Sequence, residues 1–361
     1  GWLRAMVSAI DAAPDIGGVS AKMLFARRYH GVEFDVADAS HLVAGEPRLL
    51  GVRVSGVRLD GERVDDRLAF DEGFHGAEPP SAADGEEIAR WSSVRGALRI
   101  AADDDAGLPP TTVSVRLSCL EPRTVTLRAE SDHGLGTGVT VTVNRDPNWY
   151  DVPIPAEPFD VINNVGSNLF ADGFGGDRGF LEVDAGQYET PAEVFAWCGG
   201  AVLLRRRYLD DVGLFDERLF MYYEDTDMSW RGRLRGWRYV YEPGAVVRHH
   251  HAQSSGVGSP FFRFHTERNR LLVLAKNAPA ELAWRAGLGE VRRLLGALVR
   301  HYVIRPLTLR LPARAEVAHR WRVCRSYLRL LPGMLGDRWS TTPTVSRRSL
   351  MSWEVVKWPR T

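Results

Sequence analysis

The strongest constraint on the fold is the alternation of apolar and polar residues between positions 28 and 159. Runs such as Val113–Leu117 and Val139–Val143 repeat with a period of two, which places one face of an extended strand in a core. Another run ends at Asp60-Gly61, a dipeptide typical of tight hairpin turns. Short strands divided by turns indicate a sandwich or a barrel. We therefore predict an inserted, all-β, sandwich-like module over residues 28–159.

The sequence on either side of this module has the pattern of an α/β fold. Apolar residues spaced three and four apart in Trp2–Ile10 indicate an amphipathic helix, and the apolar run Gly18–Phe25 indicates a buried strand. The same two signals resume near Val161 and predict one α/β domain built from residues 1–27 and 160–278. Its later predicted elements are a buried strand interrupted by two glycines (Phe195–Leu204), helices at Arg206–Val212 and Met228–Arg235, and strands at Trp237–Tyr241 and Ala245–Arg248.

The last segment, residues 279–361, is basic and has a helical pattern. From Glu281 to Thr361 there are 16 Arg and Lys residues against 5 Asp and Glu, a net charge of +11, whereas the rest of the chain carries −11. Such a basic amphipathic region either lies on an anionic membrane surface or packs against the acidic remainder of the chain. Its two apolar stripes are Leu294, Leu295, Leu298 and Val299, then Trp321, Cys324, Leu328 and Leu331.

The composition excludes several classes of protein. With 44% hydrophobic residues the chain has enough apolar material for a large core, so global disorder is excluded. Cys119, Cys198 and Cys324 lie far apart without a CxxC pair, which argues against a disulfide framework or a cysteine zinc site. No apolar run approaches the roughly 20 residues of a membrane span. The arginines of the basic segment flank apolar stripes, as in an amphipathic helix, so we predict no nucleic-acid partner.

Three carboxylates crowd into the four residues Glu224-Asp225-Thr226-Asp227, behind an aromatic run and before a predicted helix. Acidic residues also cap helices and favour the positive end of the helix dipole, which accounts for one or two of them. Crowding of like charges raises the pKa of at least one carboxyl group, and a raised pKa suits a catalytic base. The cluster is therefore the first candidate for catalysis.

Two other patterns are candidates for ligand binding. His249-His250-His251 follows a predicted strand and is either a solvated turn or a source of one or two imidazoles for Mn²⁺ or another divalent ion. Gly199-Gly200 is either a site of close packing or a bulge, or it exposes backbone to a ligand. In the latter interpretation Trp197 is a platform for the apolar face of a sugar.

Taken in order, these segments resemble the family 2 glycosyltransferases of the inverting GT-A type, and among them the rhamnosyl- and galactofuranosyl-transferase-like enzymes of bacterial cell-wall synthesis. The most specific block runs from the acidic cluster to the histidines. The resembling segments are Gly1-Trp2-Leu3 with Lys22–Phe25, Ile162–Ser167, Asp177–Gly179, Cys198–Ala201 with Arg205-Arg206, Phe215–Asp227 ending in Arg231, Gly236-Trp237, Pro243–Ala245, the histidines, and Arg268–Arg270.

The resemblance implies a Rossmann-like GT-A domain that transfers a sugar from a nucleotide-sugar to a hydroxyl of a glycan or lipid-linked glycan, in the synthesis of cell-envelope polysaccharide. It also implies a cytoplasmic enzyme, peripheral at the inner face of the cell membrane, that uses Mn or Mg. The implied roles are as follows: Asp225 as general base, with Glu224 and Asp227 shaping its pKa and orientation; Trp197, Gly199 and Gly200 in the acceptor groove; Arg231 and Arg268 on the donor diphosphate; and His249 on the metal, a role that His250 or His251 could take instead.

The chain departs from the family pattern in two ways. The family's first half, which holds the nucleotide-binding strand and the metal-binding DxD motif, should precede Gly1, so we expect a truncated chain that is inactive alone. The second departure is the β module, which either binds carbohydrate or is an inert spacer. The alternative function is therefore a carbohydrate-binding protein that uses the β module and retains a catalytically dead remnant.

Overall fold

A computed structural model describes residues 1–37, 49–70, 73–81, 85–86, 88–103, 108–250, 259–307 and 314–355. The chain is mixed α/β and divides into two compact units. The first contains Gly1–Leu24, Asn163–Phe180 and Tyr188–Trp358, and the second contains Phe25–Ile162 and Leu181–Gln187.

The chain begins with helix α1 (Trp2–Asp11) and strand β1 (Ile16–Phe25), both as predicted. Met6 and Ile10 lie on the inner face of α1 and are buried, which is the outcome that the three-and-four spacing predicts. They share a core cluster with Val19 of β1. Because every residue of β1 except its last is buried, this strand occupies the interior of its sheet.

The second unit is built from eleven described strands that form two antiparallel sheets. They are β2 (Tyr29–Val36), β3 (Arg53–Leu59), β4 (Glu62–Arg63), β5 (Leu68–Phe70), β6 (Arg90–Trp91), β7 (Arg95–Ala101), β8 (Thr112–Ser118), β9 (Arg123–Ser131), β10 (Gly134–Leu135), β11 (Val139–Val143) and β12 (Asn148–Pro153). One sheet has the order β10-β9-β2-β7-β5 with β11 beside β9, and the other has the order β12-β8-β3-β4 with β6 beside β3.

The two sheets of this unit share one apolar core. Phe34 of β2, Leu127 of β9 and Val115 of β8 are fully buried in the same cluster, so inward residues of both sheets meet. Asp60 and Gly61 both have positive φ, 45° and 86°, and make the tight turn between β3 and β4 that the dipeptide predicted.

The first unit continues after the second and carries the acidic cluster. Its strands are β13 (Ile162–Asn164), β14 (Ser167–Phe170), β15 (Gly175–Asp177), β16 (Ala192–Glu193), β17 (Val202–Leu204), β18 (Arg238–His249) and β19 (Glu354–Val355). Its helices are α2 (Arg206–Val212), α3 (Glu224–Leu234), α4 (Pro260–Asn277), α5 (Ala280–Val299), α6 (Arg305–Leu307) and α7 (Arg314–Ser340). Within the described ranges one sheet has the order β13-β1-β18-β16 with β17 beside β1, and a smaller one has the order β15-β14-β19.

Three sequence predictions in this unit need correction. The predicted strand Phe195–Leu204 is shorter, because Gly199 and Gly200 form an exposed turn and only Val202–Leu204 is a strand. Two predicted strands are the single strand β18, because pairing with its neighbours overrides the turn signal of Glu242-Pro243-Gly244. Helix α3 begins at Glu224 rather than near Met228, so the carboxylates lie inside its first turn.

The C-terminal helices pack within the first unit. Val323 and Tyr327 of α7 join Leu272 of α4 in one core cluster. The predicted stripes are divided, since Leu294 and Cys324 are buried whereas Leu295, Trp321 and Leu328 are exposed. None of the helices in the described ranges combines the length and the apolar character needed to cross a bilayer.

Candidate active site

The segment before α3 has an unusual backbone. Phe220, Tyr222 and Tyr223 have φ angles of 66°, 67° and 69°, in the left-handed region. For residues with a large side chain this conformation costs roughly 1–2 kcal/mol each. Such strain persists only where the surrounding structure holds the backbone, and it concentrates at functional sites.

Two neighbouring side chains of α4 hold this segment in place. The buried amide Nδ2 of Asn269 donates hydrogen bonds to the carbonyl oxygens of Leu219 (2.9 Å), Met221 (2.9 Å) and Tyr222 (2.7 Å). Nη2 of Arg268 donates to the carbonyls of Arg218 (3.2 Å) and Leu219 (3.0 Å). The strained turn therefore delivers the first residues of α3 to a fixed position.

Asp225 is held by backbone donors on both sides of its carboxylate. Its Oδ2 accepts a hydrogen bond from the N–H of Gly199 at 3.0 Å, and its Oδ1 accepts from the N–H of Thr226 at 2.6 Å. The Thr226 hydroxyl adds a third bond at 3.2 Å. The side chain is half-buried, and burial raises the pKa of Asp225 although these bonds act in the opposite direction. The result is an oriented carboxylate with increased basicity.

Two further acidic groups lie close enough to interact with Asp225. Burial, together with the negative charge of Asp225, raises the pKa of Glu224 to about 7. Glu224 Oε2 is buried and has no hydrogen-bond partner among the described residues. The pKa of Asp177 is raised to about 6, chiefly by burial of its carboxyl group and to a smaller extent by the negative charge of Asp225. Asn164 Nδ2 donates to Asp177 Oδ1 at 2.5 Å and opposes that change, and the residue as a whole remains exposed.

Asp177 was not among the residues predicted from sequence, although its segment was part of the resemblance. Strand β15 pairs with β14 in a register that sets Asp177 opposite Ser167. A Cβ on Gly175, at the start of β15, would lie 3.4 Å from Thr226 Oγ1, so this hairpin runs beside the first turn of α3. Asp177, Glu224 and Asp225, here called the carboxylate cluster, are brought together by this packing.

Asp227 is directed elsewhere. It is fully buried, and its Oδ2 accepts from Arg231 Nε (2.8 Å) and Lys276 Nζ (3.0 Å), while its Oδ1 accepts from Asn277 Nδ2 (2.7 Å). These partners neutralise Asp227 and fasten α3 to α4. Asp227 therefore makes an anchoring contact between the two helices, and its influence on the Asp225 carboxylate stays a prediction.

The two arginines predicted to bind a donor diphosphate make internal contacts. Arg231 also donates to the carbonyls of Val212 and Leu214, so it fixes the loop after α2. Arg268 is buried and makes the contacts to the strained turn described above. Their role on a donor remains a prediction.

The residues predicted to line an acceptor groove separate into two groups. Gly199 and Gly200 are exposed, and the N–H of Gly199 is the donor to Asp225. Trp197 is fully buried, with its ring 6.2 Å from that of Phe215. The structure therefore gives Trp197 no open face for stacking a sugar.

The expected metal site is not completed by the described residues. His249 Nδ1 lies 3.0 Å from Asn163 Oδ1, and burial together with the neighbouring His250 lowers the pKa of His249. His250 is exposed, and His251 lies outside the described residues. Among the described residues, no group of three or more His, Cys, Asp or Glu side chains is arranged to hold a metal ion. The described residues alone do not complete a site for the implied ion, which stays a prediction.

Two curated relatives match part of the chain. Over 110 residues it is 38% identical to the N-acetylglucosaminyl-diphospho-decaprenol L-rhamnosyltransferase of Mycobacterium tuberculosis strain CDC 1551 / Oshkosh, and the match to the protein of the same name from strain ATCC 25618 / H37Rv is of equal extent. The chain is similar to a glycosyltransferase. The match covers 30% of this chain and 35% of each relative, so the chain spans about a third of the length of the relatives it matches. No family model matches it.

Proposed function

We propose that the protein is an inverting glycosyltransferase of the family 2, GT-A type, with Asp225 as its general base. The observation that supports this most is the carboxylate of Asp225, oriented by the N–H groups of Gly199 and Thr226 at the exposed glycine turn. A strained turn precedes it and the buried Asn269 holds that turn. The partial similarity to a rhamnosyltransferase supports the same reaction class.

The proposed reaction is a single displacement. Asp225 removes the proton from an acceptor hydroxyl as that oxygen attacks the anomeric carbon of a nucleotide-sugar. The bond from the anomeric carbon to the diphosphate breaks, and the nucleoside diphosphate leaves with the electron pair. Because attack and departure occur on opposite faces of the sugar, the configuration at the anomeric carbon is inverted.

Glu224 contributes to this step through its protonation state. With a pKa near 7 it is neutral for much of the pH range in which Asp225 must be ionised, so it does not place a second full negative charge against the base. Asp177, at about 6, acts in the same sense at lower pH. A Mn or Mg ion remains a prediction, and none of these steps depends on it.

We further propose a nucleotide-sugar donor, a glycan or lipid-linked glycan acceptor, and a role in cell-envelope polysaccharide synthesis. The name of the relative describes N-acetylglucosamine joined through a diphosphate to decaprenol, which is a lipid-linked sugar. This name supports the proposal of a lipid-linked acceptor. The test is a transfer assay on the natural protein that contains these 361 residues, with the product's anomeric configuration read by NMR. An inverted glycoside supports the proposal, whereas retention of configuration or hydrolysis without transfer contradicts it.

We also propose that α5 and α6 lie on an anionic membrane surface at the cytoplasmic face. Trp284 and Leu307 are 79% and 80% exposed, and Arg292 and Arg300 are exposed beside further uncovered apolar residues. Those residues are Leu288, Leu295, Leu298, Val299, Tyr302, Val303 and Ile304. An arginine near an anionic surface contributes about 1 kcal/mol, and salt screens it.

Sedimentation with lipid vesicles tests this surface. The protein should bind vesicles that contain anionic lipid, less at high salt, and it should not bind neutral ones. Trp284→Ser should weaken that binding, while Trp2→Ser, at an exposed tryptophan on α1, should not. Equal binding to neutral and anionic vesicles, or equal effects of the two substitutions, would contradict the proposal. Single substitutions are preferable to deletion of the C-terminal helices, because α7 contributes residues to the core and its removal would disturb the fold.

A further inference from the structure

A second candidate binding site lies between α4 and α7. It is a cavity of about 400 Å³ that opens to solvent, lined by Phe264 of α4 and by Ser326 and the exposed Arg322, Arg325 and Arg329 of α7. Sites for small molecules occupy about 300–1,000 Å³, so this volume accommodates a ligand. None of the lining residues belongs to the carboxylate cluster.

Helix geometry explains why these residues converge. At 3.6 residues per turn, positions 322, 325, 326 and 329 fall within an arc of about 100° on one face of α7 and extend over about 10 Å of its axis. Arg320 lies on the opposite face, roughly 160° away from Arg322. The cavity thus collects three guanidinium groups and one hydroxyl on one helix face.

The carboxylates described near α7 pair with residues other than these three arginines. Three acidic residues near α7, Glu267, Glu290 and Glu316, each pair with Arg320 on the other face, and Asp337 near the end of α7 pairs with Arg218. In the described part of the chain no ion pair involves Arg322, Arg325 or Arg329.

A fourth arginine increases the positive field at this cavity. Arg268 is buried, and its guanidinium lies 5.3 Å from the centre of the Phe264 ring. Burial lowers the pKa of Arg268, and the positive charge of Arg329 lowers it further. Like charges that face each other without a carboxylate destabilise the empty site, and an anion would relieve that repulsion.

We propose that this cavity binds a diphosphate group. Guanidinium forks bind phosphate oxygens in pairs, and three of them along about 10 Å match two adjacent phosphates better than one. The Ser326 hydroxyl can donate to a further oxygen, and the Phe264 ring lines the apolar side of the cavity. The diphosphate belongs either to a nucleoside diphosphate or to a lipid diphosphate, and the chemistry of recognition is the same for both.

Calorimetry with inorganic pyrophosphate tests the site. The triple variant Arg322→Gln/Arg325→Gln/Arg329→Gln should bind pyrophosphate roughly tenfold or more weakly than the wild type, since charge-assisted bonds are lost. The matched control removes three exposed arginines of α1 and α2, as Arg4→Gln/Arg206→Gln/Arg207→Gln, and should bind almost as the wild type does. Equal loss in both variants, or no binding by the wild type, would overturn the proposal.

Two further arms identify the source of the diphosphate. One measures binding of uridine diphosphate, and the other measures retention on neutral vesicles that carry a polyprenyl diphosphate. If the triple cavity variant binds one of these probes more weakly than the wild type does, and the control variant does not, the site is supported and that probe identifies the source of the diphosphate. If the triple cavity variant binds both probes as well as the wild type does, the proposal is overturned. Because the readout is binding, failure of the glycosyl-transfer proposal would not produce failure here.

Discussion

Replacing Glu224 with Gln tests the electrostatics of the carboxylate cluster. Glu224 has a pKa of about 7 in the folded protein against an ordinary value of 4.5, because it is buried beside Asp225. In the substitution Glu224→Gln the side chain keeps its shape and loses its charge. The two proteins therefore differ chiefly in one titration.

The direction of the effect follows from proton binding. Between pH 4.5 and about 7 the folded wild type holds a proton on Glu224 that the unfolded chain releases, so its stability falls as pH rises through this window. At about 1.36 kcal/mol per pH unit the full difference is roughly 3 kcal/mol, and solvent at the half-buried side chain reduces it to about 2 kcal/mol. The Glu224→Gln variant does not lose this stability, because glutamine does not titrate.

Urea unfolding at pH 5, 6, 7 and 8 measures the effect. At pH 5 the free energy of unfolding should be nearly equal in the two proteins, and at pH 8 the variant should be more stable by about 2 kcal/mol. Glu217→Gln, at an exposed position, controls for the loss of one negative charge. Parallel stability curves for wild type and Glu224→Gln, or a less stable variant at pH 8, would refute the reasoning.

Two other substitutions test how α4 positions the site. Asn269→Ala removes three hydrogen bonds to the strained turn and leaves carbonyls unpaired. It should therefore lower the free energy of unfolding by about 2–4 kcal/mol and also reduce turnover. Asn148→Ala, at an exposed position, is its control, and an equal effect of the two substitutions would contradict the role given to Asn269. Lys276→Met removes the buried cation that bridges the carboxylates of Asp216 and Asp227 and leaves each of them with one arginine, Arg218 and Arg231 respectively. The loss of these charge-assisted hydrogen bonds should cost about 2–3 kcal/mol in urea unfolding. Arg206→Met, at an exposed ion pair, should change stability little, and a Lys276→Met protein as stable as that control would show that the buried pair is not needed.

The periodic parts of the fold can be predicted from sequence because each reports its own environment. The spacing in α1 identifies its buried face, and the alternation in β8 identifies the residues of a sheet facing the core. Strand β18 shows the limit, since a local turn signal at Pro243 yields to pairing with distant strands. A single sequence does not contain that competition.

The acidic residues of the candidate site could be identified from sequence only where neighbours in sequence are also neighbours in space. Glu224 and Asp225 were found because crowded charges are visible in the chain. Asp177 and Asn269 were missed because a hairpin and a helix packing bring them to α3 from far along the chain. Asp227 was predicted to shape the pKa and orientation of Asp225, but two positions along a helix turn a side chain by about 200°, and Asp227 contacts Lys276.

The most direct test of the central claim is Asp225→Asn, assayed for sugar transfer in the natural protein that contains these 361 residues. The amide keeps the shape of the carboxylate and cannot take the proton of the acceptor hydroxyl. We expect turnover to fall by roughly two to four orders of magnitude with little loss of donor binding. Asp210→Asn, on the exposed surface of α2, should retain wild-type turnover. If Asp225→Asn also turns over at nearly the wild-type rate, Asp225 is not the base.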